Sequence, residues 1–299
     1  MAVYRGMDVG TATPTLGERR GVPHHLLDVV EPSEEFSVQR FASLVADTLD
    51  DIESRGGAAV LVGGTGLYAQ AVVDGFDLPP QFPEVAASLG ELSSDDLTTR
   101  LSELDPIAAS RVPPGNRRRL IRALEVTIGS GRPFSSFGPG LDAYPATPFV
   151  LTGLTLPRDV MAERIVERYA RQMRDGFLEE VRALLHRPDG WSRTAAAALG
   201  YRELAAHLRG EADLDESVAS AVQRTRRFAV RQERWFRRDP RIRWFEAVSS
   251  SGAMVPTSEL AAVVDEHWDG AGRSIRPLDR APSGPEVDLD VGGATTTVE

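Results

Sequence analysis

Two features of the chain combine residue types and spacings suited to chemistry on a phosphate-bearing substrate. One is the turn Gly63-Gly64-Thr65-Gly66. Its glycines let a ligand or a neighbouring backbone come close, and the threonine between them offers a hydroxyl. Capping the helix that follows is the plainer role for Thr65, and the two are compatible. The other feature is arginine density. Arg117, Arg118, Arg119 and Arg122 form one group, and nine arginines lie between Arg224 and Arg243. Any one of them reads as part of a solvated helix face, but two dense groups together make a candidate phosphate-binding surface. The sequence contains no lysine, which excludes a Gly-Lys-Ser/Thr phosphate loop from it. His24 and His25 look like a metal pair, but neighbours on an extended segment point to opposite faces, so they read as structural.

Composition bounds the rest. With 299 residues and 41% apolar content the chain can bury one or two cores. It has no cysteine, which removes disulfides and thiolate–zinc sites. No run of 18 apolar residues and no signal-like start occurs, so the expectation is a cytoplasmic protein with no membrane contact. The formal charge of −10 is uneven. From Glu246 onward ten acidic residues face three arginines, so −7 belongs to the end of the chain and only −3 to residues 1–245. A near-neutral body with clustered arginines is compatible with nucleic acid.

These groups must be positioned by ordered elements. Residues 22–30 read as an extended segment. Ser37 can cap a helix to about Arg55, whose apolar face is Val38, Phe41, Val45, Leu49 and Ile52, with Gly56-Gly57 ending it. Ala58 to Val62 reads as a buried strand, followed by the glycine turn and a helix from Leu67 to Val73. Helix, strand, glycine turn, helix is the rhythm of a parallel α/β sheet, where ligands sit at the strands' carboxyl ends. Residues 77–96 look like an excursion. A helical region at about 97–130 follows, then a Gly/Pro-rich stretch at 131–148 and a return strand at 149–156. The pattern next predicts one long amphipathic helix from Pro157-Arg158-Asp159 to about Leu184, helices at about 192–208 and 214–237, and a short one at 257–267. From Gly270 the composition reads as a disordered acidic tail.

Read in order, the segments YRGMDVGTATPT (4–15), PHHLLDV (23–29), LVGGTGLYAQAVVDG (61–75), RRRLIRALEV (117–126), QMRDGFLEEVRAL (172–184), AALGYREL (197–204) and TRRFAVRQERWFRRD (225–239) resemble the tRNA dimethylallyltransferase family. The resemblance covers residues 1 to about 245. It implies a core related to the P-loop kinases, with a parallel sheet spanning 1–79 and 146–245, a mainly helical tRNA-contacting insertion at 80–145, helices at the C-terminal side, and an extension at 246–269 before the tail at 270–299. It implies transfer of a dimethylallyl group from dimethylallyl diphosphate to N6 of adenine 37 in tRNAs that read codons starting with U. The partner is the tRNA anticodon stem-loop, the cofactor Mg2+, and the expected state a monomer. In that resemblance Thr65 faces the reacting adenine and Arg202 reaches the diphosphate. Tyr4, Arg5, Thr65, Arg118, Arg119, Leu120, Ile121, Arg122, Arg226, Arg231 and Gln232 contact tRNA. No metal-ligating residue is assigned. Trp235 and Phe236 read as core.

The resemblance also has departures. Family members carry a strand and a phosphate loop, then a second strand ending in Asp-Ser, ahead of the segment that here starts at Tyr4. Those parts are not in this sequence, and with them go the loop's metal ligand and the aspartate proposed as base. The expectations are an unpaired sheet edge and a chain that is inactive or incomplete as it stands, with Met1 internal to a longer enzyme. Ala86 stands where an RNA-contacting arginine is expected. The alternatives are a truncated RNA-binding paralogue and a small-molecule kinase relative; the arginine motifs and the absent loop argue against the kinase.

Overall fold

The structure, a computed structural model, describes residues 1–138, 140–249 and 252–270. The first helix, α1 (Val38–Ser54), begins where expected because the Ser37 Oγ accepts the Arg40 N–H at 3.1 Å. After it come α2 (Gly66–Val73) and a helical group of α3 (Pro83–Leu89), α4 (Ser94–Leu104), α5 (Pro106–Arg111) and α6 (Arg117–Ser130). A Ser93/Asp96 capping box starts α4, and Gly131 at φ +68° ends α6. Leu89, Leu97, Leu101, Leu120 and Leu124 form this group's own core. The buried Asp105 accepts the Ala108 N–H at 2.9 Å and both the N–H and Oγ of Ser135 at 2.7 Å, pinning the following turn to it.

The chain returns through β1 (Thr152–Thr155) to α7 (Arg158–Arg174) and α8 (Phe177–Leu185), then α9 (Arg193–Ala196), α10 (Tyr201–Leu208), α11 (Leu214–Phe236), β2 (Arg243–Glu246) and α12 (Thr257–Gly270). Strands β1 and β2 pair in parallel, Thr152 opposite Arg243 and Thr155 opposite Glu246. The larger core joins the N-terminal segment to α1, α7, α8, α10 and α11 through Tyr4, Met7, Phe36, Tyr169, Phe177 and Tyr201. Among the described residues no helix is long and apolar enough to cross a membrane.

Several expectations need correction. The run 58–62 is not a sheet strand: Val60 and Val62 are 63% and 87% exposed. A strand exists through its ladder, and among the described residues no backbone group from Ala58 to Gly64 bonds to another backbone group. The described sheet has two strands. β2 was not anticipated; it pairs because Gly153 leaves room for the Trp244 ring, which an added Cβ would meet at 2.6 Å. The long helix at 158–184 breaks at Gly176 (φ +97°), a left-handed conformation that ends α7 and starts α8. Gly200 (φ +88°) likewise divides 192–208 into α9 and α10. The 22–30 segment pairs only at its end, where the N–H groups of Asp28, Val29 and Val30 donate to the carbonyls of Ala2 (3.0 Å) and Val3 (2.8 and 3.0 Å). The helix expected at 257–267 is present as α12; the tail beyond Gly270 lies outside the described residues.

Candidate functional site

A cleft of about 2560 Å³ runs between the glycine turn, α6, β1 and α11. The exposed apolar run 58–62 and Leu154 of β1 line it, as do arginines of α6 and α11. Of the residues singled out by sequence, Tyr4, Thr65, Arg118, Ile121, Arg122, Arg231 and Gln232 line it.

Their states differ. Thr65 is exposed and occupies the N-cap position of α2, but its side chain makes no capping bond, so the hydroxyl is free for another partner. Arg118 is exposed and pairs with no described residue, while Arg231 is exposed with its guanidinium 5.7 Å from the Phe228 ring. Arg122 is already engaged: it donates to the carbonyls of Pro79 (2.7 Å) and Pro80 (3.2 Å) and pairs with Glu125 at 2.9 Å. Gln232 donates its Nε2 to the Gly64 carbonyl at 2.6 Å. Tyr4 is fully buried and only backs the cleft wall; burial pushes its phenol up. Ala86 also lines the cleft, from α3.

Trp235 and Phe236, expected in the core, are instead half-buried and line the cleft as well. The structure sets the remaining residues assigned to tRNA or diphosphate, and the two histidines, apart from the cleft. Leu120 is in the core of the helical group. Arg5 is exposed and pairs with Glu31 at 3.4 Å. Arg119 is exposed on α6, and Arg226 reaches the Ala162 carbonyl at 3.4 Å. Arg202 is exposed and lines a separate hollow of about 290 Å³ with Trp191, Arg193 and Arg209; Arg193 and Ala197 border both spaces. His24 and His25 are exposed on the surface.

Sequence reasoning missed two supports. The Glu180 carboxylate accepts the backbone N–H groups of Asp8 (2.7 Å), Val9 (2.7 Å) and Gly10 (3.0 Å), and the Tyr201 hydroxyl donates to it at 2.6 Å. Gln172 donates to the carbonyls of Val9 and Gly10 at 2.8 and 3.2 Å. Burial, and then the charge of Glu180, push the Tyr201 phenol far up. Burial with the neighbouring Asp28 and Glu180 charges raises Asp8. Together these fix the loop that brings Gly10 and Thr11 to the cleft. The signal was present: Gln172 is a polar residue three positions after Tyr169, on the face of α7 that is buried with Ile165 and Tyr169.

The second support is Arg241. It bonds Asp74 at the end of α2 (2.6 Å), Asp239 (2.7 Å) and the Pro145 carbonyl (2.6 Å), and lies over the Tyr144 ring. Hydrogen bonding to Asp239 and Asp74 raises its own affinity for its proton further. Burial alone would lift the Asp239 carboxyl, but hydrogen bonds and charge from Arg241 outweigh this and hold it low.

Residues 2–239 match the family model described as IPP transferase. The chain belongs to the IPP transferase family. Among its relatives, a tRNA dimethylallyltransferase of Desulforudis audaxviator is 41% identical over 273 residues, 89% of this chain and 87% of that protein. One from Thermobifida fusca is 45% identical over 250 residues, 82% and 77% of the two chains. The crystal structure of the full-length tRNA isopentenylpyrophosphate transferase of Bacillus halodurans superposes with a TM-score of 0.63 at 34% identity, covering 91% of this chain and 85% of that one. A eukaryotic dimethylallyltransferase, described as acting on tRNA, shares the fold at a TM-score of 0.73 and 24% identity. Family membership thus accounts for the mixed α/β fold, although the described sheet keeps only two strands.

Proposed function

We propose that this chain is a tRNA dimethylallyltransferase whose cleft holds the tRNA anticodon stem-loop, with adenine 37 of tRNAs reading codons that start with U as acceptor and dimethylallyl diphosphate as donor. The observation that carries this reading is the convergence of Thr65, Arg118, Ile121, Arg122, Arg231 and Gln232 on one cleft. An exocyclic amine is reachable only when the base leaves its stack, and sites for such bases combine phosphate contacts with an edge contact in a pocket. Arg118 and Arg231 are cleft cations without an ion pair to a described residue and can meet phosphates, and the Thr65 hydroxyl is free for a base edge. In the transfer the donor's allylic C–O bond breaks with its electron pair on diphosphate, the N6 lone pair forms the new C–N bond, and the N6 proton is released. Diphosphate departure needs concentrated positive charge; Arg202 is the proposed contributor, from beside the cleft. In this reading residues 80–145 form the tRNA-facing insertion, and the enzyme acts as a monomer in the cytoplasm.

The family implies Mg2+. No group of three or more His, Asp or Glu among the described residues is arranged to hold a metal ion, so they do not fit a protein-built magnesium centre, and no step here runs through one. The sequence has no lysine for a phosphate loop. That favours a second reading, RNA binding with very slow transfer, for the 299-residue chain on its own. Losing one preorganised charge-stabilising group costs about 10²–10³ in rate. The test is to titrate the chain with an anticodon stem-loop, then add labelled dimethylallyl diphosphate and magnesium and follow single-turnover transfer. Micromolar or tighter binding with transfer at least about a hundredfold slower than an intact relative fits the slow-transfer reading. Transfer at a relative's rate leaves the first reading alone standing, and failure to bind the RNA defeats both.

A further inference from the structure

The stretch 58–64 is almost without support. Among the described residues the one hydrogen bond made by any of its atoms is that from Gln232 Nε2 to the Gly64 carbonyl, at 2.6 Å. Gln232 and Trp235 stand three residues apart on α11 and so share a face. A Cβ added at Gly64 would lie 2.2 Å from Gln232 Nε2, and one added at Gly66 would lie 2.3 Å from the Trp235 ring. The absence of side chains at 64 and 66 is therefore what lets the turn rest against α11. Between these two contacts stands Thr65, exposed and with its hydroxyl free.

We propose that Gln232 is a positioning residue: its amide and the Trp235 ring fix the Gly63–Gly66 turn and thereby aim Thr65 into the cleft. Gln232 thus acts through the turn and not as a contact to the RNA backbone, the role that falls to its neighbour Arg231. This rests on the reading above only in taking Thr65 to meet the acceptor base. A carbonyl held by one amide loses its direction when that amide is removed. An ω-apolar replacement of the same length keeps the packing and deletes only the donor.

Three readouts on Gln232→Met, Gly64→Ala and Arg231→Ala, each in the whole chain, test the proposal. Hydrogen–deuterium exchange of a peptide covering 61–68 should quicken several-fold in Gln232→Met and Gly64→Ala, with no change elsewhere. The Gln232→Met/Gly64→Ala double variant should be no faster than the faster single one, since both break the same bond. Stem-loop affinity for Gln232→Met should stay within about twofold with an unaltered salt slope, whereas Arg231→Ala should lower the slope by about 0.7 and leave exchange alone. With 2-aminopurine beside the acceptor adenine, the emission increase that reports unstacking should fall by half or more in Gln232→Met at saturating protein. A Gln232→Met variant with native exchange, or one that loses affinity and salt slope as Arg231→Ala does, overturns the proposal. If Gln232→Met unfolds globally, Gly64→Ala decides: native exchange in the 61–68 peptide overturns the proposal, and quickening confined to that peptide supports it. Should the wild-type chain bind no stem-loop, the functional reading fails, while the exchange data still decide the role of Gln232.

Discussion

Replacing Arg118 and Arg231 together by alanine should flatten the salt dependence of stem-loop binding without costing stability. Both side chains are exposed, both line the cleft, and neither forms an ion pair with a described residue, so their removal strands no partner. On single-stranded RNA, removing one arginine–phosphate pair lowers the slope of log affinity against log salt by about 0.7. Removing two gives a change of about 1.4, or roughly 25-fold weaker binding at 0.1 M salt relative to a 1 M reference. The assay is fluorescence anisotropy of a labelled anticodon stem-loop between about 50 and 400 mM salt, the range over which this salt effect is large, with thermal melts of the same preparations. Arg122→Ala is the internal contrast. Its guanidinium already holds Pro79, Pro80 and Glu125, so it should lower the melting temperature and change the slope little. A double variant with the wild-type slope would return Arg118 and Arg231 to the role of solvated helix surface, and a large slope change for Arg122→Ala would mean that its structural bonds yield to RNA.

Arg241→Ala should destabilise the fold by about 3 kcal/mol in urea titrations, because it leaves the Asp74 side chain, 1% exposed, and Asp239 without their cation; a loss below about 1 kcal/mol would count against a supporting role. The pH dependence has a fixed sign. Asp239 is held below its ordinary range, so its contribution is complete above the unfolded value of about 3.9 and disappears as pH falls through the depressed folded value; in Arg241→Ala this part of the acid loss should vanish. Glu180→Ala removes the acceptor of three backbone N–H groups and of the Tyr201 hydroxyl. It should cost about 2 kcal/mol and expose the bond after Arg19 to trypsin, and unchanged proteolysis would contradict the clamp.

What was legible in the sequence was local. Ser37 as a cap and the apolar face of α1 act within a few residues, and the structure places them where they were read. The run 58–62 was misread because composition reports only that a segment would suit a strand; whether it becomes one depends on a partner ladder far along the chain. The same distance hid β2 and its partnership with β1. In the cleft, residue types pointed to the glycine turn and to the arginines, but not to which arginines are free. Nor could spacing show that Glu180 lies against residues 8–10, some 170 positions away.

Arginine density therefore does not measure the ligand surface in this chain. Arg117 donates to the carbonyls of Leu92 and Gly90, Arg122 to those of Pro79 and Pro80, and Arg241 to that of Pro145 as well as to two carboxylates. Each joins several acceptors at once, which the planar fork of a guanidinium can do and a single ammonium point cannot. Arg118 and Arg231 hold no such set, and a phosphate accepts an ammonium nearly as well. Lysine substitution consequently separates the two kinds. Arg117→Lys, Arg122→Lys and Arg241→Lys should each lower the melting temperature, by about 1–3 kcal/mol in equivalent stability where two or more hydrogen bonds are lost. Arg118→Lys and Arg231→Lys should melt as the wild type does and keep its salt slope, since the charge that displaces counterions is unchanged. If all five lysine variants melted alike, the structural arginines would be acting as plain charges, and the division of labour drawn from their geometry would be wrong.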